Sequence, residues 1–239
     1  MGFIKNLFKR LFSETIRARY RSAYIIFIRN TKRKYFSKSG KHTELFGPLI
    51  LDPNFVEMDN HTRMLPFNRV ISDGGRVVVK KYTGIGSGCT FIPGSHVPTV
   101  GLPQFLSRFH INDIEKTLVI GEDVWIGANC TFLCKASVGR GAVVGACSLV
   151  TNEVPPYAVV AGSPAKVIAT RFTHEQIIEH EKILYPEEER LPLDFLDNIF
   201  ATKYKGLRSI GTSEISNEDL NRLNKLKEEF GITNYAECK

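Results

Sequence analysis

The chain has 239 residues, 43% of them hydrophobic, enough for one large domain with an appendage. No apolar run approaches the roughly 20 residues of a membrane span, no secretory signal pattern is found, and five irregularly spaced cysteines suit a reducing cytoplasm better than a disulfide framework. The net charge of +7 is local: twelve of the 32 Lys/Arg but one of the 25 Asp/Glu fall in residues 1–41, so the remainder carries −4 and nucleic acid is not an expected partner.

The first segment places Phe3, Ile4, Leu7, Phe8, Leu11 and Phe12 at helical spacing with Lys5, Lys9 and Arg10 between them. This predicts a basic amphipathic helical unit over residues 1–44. Residues 1–36 then have two uses: peripheral contact with an anionic membrane at its cytoplasmic face, or a cap on the first turn of whatever follows.

From residue 45 an apolar residue returns every sixth position. Met58, Met64 and Val70 share one phase, and Val79, Ile85 and Phe91 resume it after a shift. A non-repeating excursion, 97–117, interrupts the pattern. Ile120, Ile126, Phe132, Val138, Val144 and Val150 then carry it without a break. Four residues after these beats stand Val124, Cys130, Ala136, Ala142, Ser148 and Val154, all small or β-branched. Gly follows the beat at 121, 127, 139 and 145, where it is expected to ease a corner. Neither 3.6 nor 2 explains a period of six. It suits a solenoid of short flat sides, three to a coil, with the beat and its small partner pointing inward.

Two prolines at 155–156 end the repeat, and residues 169–239 read as a helical tail. Thr173 and Gln176 form a capping box pattern. A last helix is predicted with Ser216 as N-cap, Leu220, Leu223 and Leu226 inward, and Gly231 as its stop.

The stretches "VIGEDVWIGANC" and "VGRGAVVGACSLVTNEVPPYAVVAGSPAKVI" resemble the hexapeptide-repeat acyltransferases, in the branch of xenobiotic, galactoside, maltose and surface-polysaccharide acetyltransferases. The resemblance covers residues 45–168. It implies a mainly β fold, a left-handed parallel β-helix with helical appendages at both ends, assembled as a homotrimer. It further implies acetyl-CoA as cosubstrate, no metal, and a sugar or glycan hydroxyl as acceptor in surface polysaccharide or glycolipid synthesis. An antibiotic or amino-sugar amine is an alternative acceptor.

His96, in "FIPGSHVPTVG", matches the family's catalytic histidine before the excursion, and imidazole suits general-base work near neutrality. A surface-loop histidine is the alternative reading. His110, inside the excursion, is a candidate acceptor contact. His42, His61, His174 and His180 read as surface residues. Trp125, one place after an inward Val124, projects outward; the resemblance sets it beside the catalytic histidine at a subunit junction, and plain interface packing is the alternative. Relatives bind acetyl-CoA along the stretches that hold Ala128, Gly145, Ala146, Thr151, Pro164, Lys166 and Arg171. Small residues there leave a groove, and Lys166 with Arg171 would meet phosphate. Cys89 and Cys130 fall in the small inward slot, where a thiol is inert. A γ-type carbonic anhydrase shares the fold and needs three converging histidines, yet 119–168 holds none.

Overall fold

The computed structural model describes residues 38–45, 55–71, 75–109, 112–230, 232, 234 and 235. The expected N-terminal helix of residues 1–36, His110 and the helix stop at Gly231 lie outside them.

Three stacked faces carry the repeat. The first holds β1 (Lys38–Ser39), β3 (Val56–Met58), β6 (Arg76–Val79), β11 (Thr117–Ile120), β14 (Ser137–Val138) and β17 (Glu153–Val154). The second holds β2 (Glu44–Leu45), β4 (Arg63–Met64), β7 (Gly84–Ile85), β12 (Trp125–Ile126), β15 (Val143–Val144) and β18 (Ala158–Gly162). The third holds β5 (Arg69–Val70), β8 (Thr90–Phe91), β13 (Thr131–Phe132) and β16 (Leu149–Val150). Pairing between these strands is parallel, and β19 (Ala165–Thr170) closes the second face antiparallel to β18. The chain visits the faces in order, so each circuit is one coil of a three-sided solenoid. Pairing already starts with Lys38 opposite Glu57, ahead of the expected start at 45.

Beat stacks on beat. Val79, Ile120 and Val138 are partners, as are Ile85, Ile126 and Val144, and Phe91, Phe132 and Val150. All nine are at most 3% exposed. The Phe91 and Phe132 rings lie parallel with centroids 5.1 Å apart. Burying each such side chain contributes about 1.5–3 kcal/mol. The second inward site lies nearer the corner and has less room. There sit Val124, Cys130, Ala136, Ala142 and Ser148, each at most 4% exposed; Val154, expected with them, instead pairs with the beat residue Val138, because the last coil is two residues short. Asn68 fills the same slot on the first described full coil without an unmet polar group: its amide donates to the carbonyls of Leu65 and Gly86 and accepts from Cys89 N–H.

The corners correct one expectation. Left-handed backbone falls three residues after the beat, on His61 (φ 54°), Tyr82 (65°), Asp123 (53°), Asn129 (59°) and Cys147 (59°), and not on the glycine that follows it. Those glycines answer a different need. A Cβ at Gly127 would stand 2.6 Å from Ala146 N, and one at Gly121 2.7 Å from Val138 O. They let one coil lie on the next.

Spacing between faces is uneven in an ordered way. From first to second face the beats run Met58–Met64, Val79–Ile85, Ile120–Ile126 and Val138–Val144, always six apart; from second to third, Met64–Val70, Ile85–Phe91, Ile126–Phe132 and Val144–Val150 do the same. Every change of coil length sits at the edge joining the third face back to the first: Val70 to Val79, Phe91 to Ile120, Val150 to Val154.

The tail packs back on the last coils. Helix α1 (His174–Leu184) begins at Thr173 with the expected capping box and buries Ile177, Glu181 and Leu184. The Glu181 carboxylate accepts from Tyr157 Oη (2.6 Å), Arg140 Nη1 (2.9 Å) and Leu191 N (3.0 Å), which is what a buried charge requires. Burial together with this carboxylate drives the Tyr157 phenol upward from its ordinary pKa. Helix α2 (Leu193–Thr202) buries Leu196 and Ile199. Helix α3 (Asn217–Glu229) is capped by Ser216 as expected, but its leucines do not point into a core: Leu220 and Leu226 are exposed and the helix buries no residue. Its apolar spacing is real, but none of its residues is buried by the described residues.

Candidate active site

The excursion leaves the third-to-first edge as a clamped loop. β9 (Gly94–Ser95) pairs antiparallel with β10 (Ile114–Glu115), Ser95 opposite Ile114. The next step outward sets His96 against Asp113. His96 Nδ1 lies 2.9 Å from Asp113 Oδ1 and 3.0 Å from Oδ2. The imidazole is 42% exposed and the carboxylate 13%. A neutral imidazole so held donates Nδ1–H to the carboxylate and keeps a lone pair on Nε2. Beyond the dyad Asn112 Nδ2 donates to Thr99 Oγ1 at 3.1 Å, tying the loop across. Residues Gln104–Phe109 form a 3-10 turn at its far end.

The other expected residues separate into groups. Trp125 points outward from the second face and is 67% exposed. That face lies opposite the edge from which His96 rises, so one chain does not bring the two together. Ala128, Gly145 and Ala146 line the edge between second and third faces, where Gly127 N donates to Val144 O and Cys147 N to Ala128 O. The β18–β19 turn continues this line, with Ala161 opposite Lys166, and Pro164 and Lys166 are both exposed there. Thr151 sits at the next edge, accepting from Asn152 Nδ2. Arg171 is elsewhere again: its Nη1 is 2.7 Å from Asp123 Oδ2 and also meets the Asp123 and Gly141 carbonyls. This spends the guanidinium on a corner of the solenoid, so Lys166 alone remains at the edge as an exposed cation of the expected pair.

Cys89 and Cys130 are fully buried, their thiols each 3.3 Å from Gly127 O; the neighbouring Cys130 thiol and then burial push the Cys89 thiol up. Three histidines read as surface residues make defined contacts. His180 Nε2 is 2.9 Å from Asp123 Oδ2. His42 and His61 stack with centroids 4.8 Å apart, under the edge of Phe230 and over Tyr82. Among the described residues no three His, Cys, Asp or Glu side chains converge as a metal site, and no helix there is long and apolar enough to cross a membrane.

Asp113 is the candidate-site residue that sequence reasoning missed. Its partner lies seventeen positions away, and only the antiparallel register of the loop neck joins them.

A solenoid of six-residue sides with a histidine-bearing loop at one edge is the architecture of a hexapeptide-repeat transferase. The model of the family described as "Bacterial transferase hexapeptide (six repeats)" matches residues 117–152. A chloramphenicol acetyltransferase of Morganella morganii is 34% identical over 147 residues, 54% of this chain and 70% of that one. A probable macrolide acetyltransferase of Lysinibacillus sphaericus is 48% identical over 117 residues, 44% and 65% of the two chains. The crystal structure of a hexapeptide-repeat containing acetyltransferase from Vibrio cholerae superposes with TM-score 0.53 at 26% identity, over 59% of this chain and 77% of that one. The chain belongs to the bacterial hexapeptide transferase family. It spans 55–70% of the length of the first curated relatives it matches.

Proposed function

We propose that this protein transfers acetyl from acetyl-CoA to a hydroxyl of a sugar or glycan, with His96 as general base, in a left-handed coil assembled as a homotrimer. The His96–Asp113 dyad carries the reading. Acetyl-CoA supplies an activated acyl carbon that a neutral alcohol attacks slowly. Asp113 holds the imidazole in the tautomer whose Nε2 accepts the acceptor hydroxyl proton as the new C–O bond forms. The imidazolium so produced, steadied by the carboxylate, returns that proton to the departing thiol sulfur. Asp113 keeps its charge throughout.

The residues present suit the cosubstrate. Ala128, Gly145 and Ala146 present little but backbone along one edge, giving an extended chain room and amide partners, and Lys166 at its end supplies a cation for phosphate. Trimer formation is supported by the exposure of Trp125 on the face opposite His96, since a neighbouring copy is what would unite them. The basic pattern of residues 1–36 supports a peripheral place at the cytoplasmic face of an anionic membrane, where lipid-linked sugars are available. An antibiotic hydroxyl is the second reading, favoured by the chloramphenicol and macrolide acetyltransferases among the relatives.

Replacing His96 by Ala tests the proposal. Turnover of acetyl-CoA with a responsive acceptor should fall by about 10²–10⁴, with CoA affinity by calorimetry unchanged. Turnover above about a tenth of wild type, below the range for a lost general base, would reject His96. An acceptor panel of glycans against chloramphenicol and macrolides separates the two readings.

A further inference from the structure

The second face has a gap beside Trp125. Down its outward column the register aligns Arg63, Gly84, Trp125 and Val143. Strands lie about 4.8 Å apart, so the missing side chain at Gly84 opens a slot about 10 Å across between the Arg63 and Trp125 backbones. A cavity of about 290 Å³ fills it, walled by Trp125, Arg63, Tyr82, Leu65, Asp123 and Arg171.

The backbone does not need this glycine. Its φ is not left-handed, and a Cβ at Gly84 would meet nothing within 4 Å. At Gly86, two residues on, a Cβ would stand 2.7 Å from Ala128 N. Gly86 is there for coil packing; Gly84 leaves space.

The rim of the slot is polar but electrically balanced. Arg63 Nε is 2.6 Å from Glu44 Oε2, and Asp123 is shared by Arg171 (2.7 Å) and His180 (2.9 Å). Each pair offers donors and acceptors without leaving a free charge, which disfavours phosphate and suits hydroxyls. The exposed indole offers a broad face of negative potential to polarised C–H groups. The volume stands at the lower end of small-molecule sites, about 300 Å³, which is room for one ring.

We propose that this slot binds a single neutral pyranose ring of the acceptor, its C–H face on Trp125 and its hydroxyls on the two ion pairs, and that Gly84 sets the specificity. The inference deepens the acetyl-transfer reading and rests on it for the reaction only. With one tryptophan in the chain, intrinsic fluorescence reports this position alone. The full chain is titrated with the methyl pyranosides of galactose, glucose and N-acetylglucosamine up to about 100 mM, because one ring gives at most millimolar affinity. At least one should change the emission saturably. Gly84→Leu should weaken that response at least tenfold, Gly84→Ala by less, and calorimetric CoA affinity should stay the same in both. Gly84→Ala carries the test alone if the leucine variant does not fold. No response to any pyranoside, an undiminished response in the filled slot, or an emission change driven by CoA would each overturn the proposal. A wild-type protein that binds a pyranoside but not CoA would sustain the slot and remove the acetyl-transfer reading.

Discussion

Asp113→Asn tests the part of catalysis proposed for the loop neck. The substitution keeps shape and removes the anion from an interaction in which Nδ1 has both oxygens at 2.9 and 3.0 Å. A hydrogen bond to a charged group is worth about 1.5–3 kcal/mol. The imidazole is 42% exposed, and solvent screening takes roughly half of that. About 0.7–1.5 kcal/mol remains, which is about three- to twelvefold in kcat. KM for acetyl-CoA should not move, because the carboxylate bonds His96 at the neck of the excursion, a different edge from the small-residue one. Steady-state rates for wild type, Asp113→Asn, His96→Ala and the double variant form a cycle. With the imidazole gone the carboxylate has nothing to orient, so the double variant should match His96→Ala. The same loss again in the double variant would mean that Asp113 only holds the loop, and a kcat within about twofold of wild type, short of the expected range, would mean that it does nothing.

Gly127→Ala should destabilise by about 1–3 kcal/mol in urea, since its Cβ stands 2.6 Å from the Ala146 backbone, while Gly84→Ala stays neutral or gains up to about 1 kcal/mol. Equal effects would refute the division of labour between the two glycines. Burial and the adjoining His42 lower the His61 pKa from its usual 6.5, so the unfolded chain takes up that proton first; stability should be intact above that value and decline as pH falls below it. Glu44 and Arg63 face the same cavity. His61→Phe should flatten the melting curve against pH, as Phe67 shows that the left-handed corner accepts phenylalanine. Lys166→Ala should raise KM for acetyl-CoA about fivefold, an exposed charge-assisted contact being worth about 1 kcal/mol; an unchanged KM would place the phosphate elsewhere.

The coil was legible in sequence because its forces are local and periodic. Ile120, Ile126 and Phe132 announce an interior that repeats, and each is buried as expected. His96 was legible through its motif. Asp113 was not, because an antiparallel closure across the excursion has no period. Arg171 looked like a phosphate ligand from its place after "GSPAKVI", but Asp123 sits on a left-handed corner that aims its carboxylate at the tail. The leucines of α3 show the converse failure: spacing reports an apolar stripe without saying what covers it.

The uneven edge has a consequence for how such a chain changes. Hydrogen bonds between coils fix the start of every strand on all three faces, so an added residue at either six-residue edge would shift every later side chain out of register. At the third-to-first edge, length is free. Closing a loop twice as long costs only about 0.6 kcal/mol more, and β9 with β10 seals its base. The segment between them is therefore a detachable module: residues 96–113 carry both the proposed base and its carboxylate, and a loop of another length could replace them on the same ladder. On the proposed reading, acceptor range can drift at one seam while the small-residue edge proposed for acetyl-CoA stays as it is.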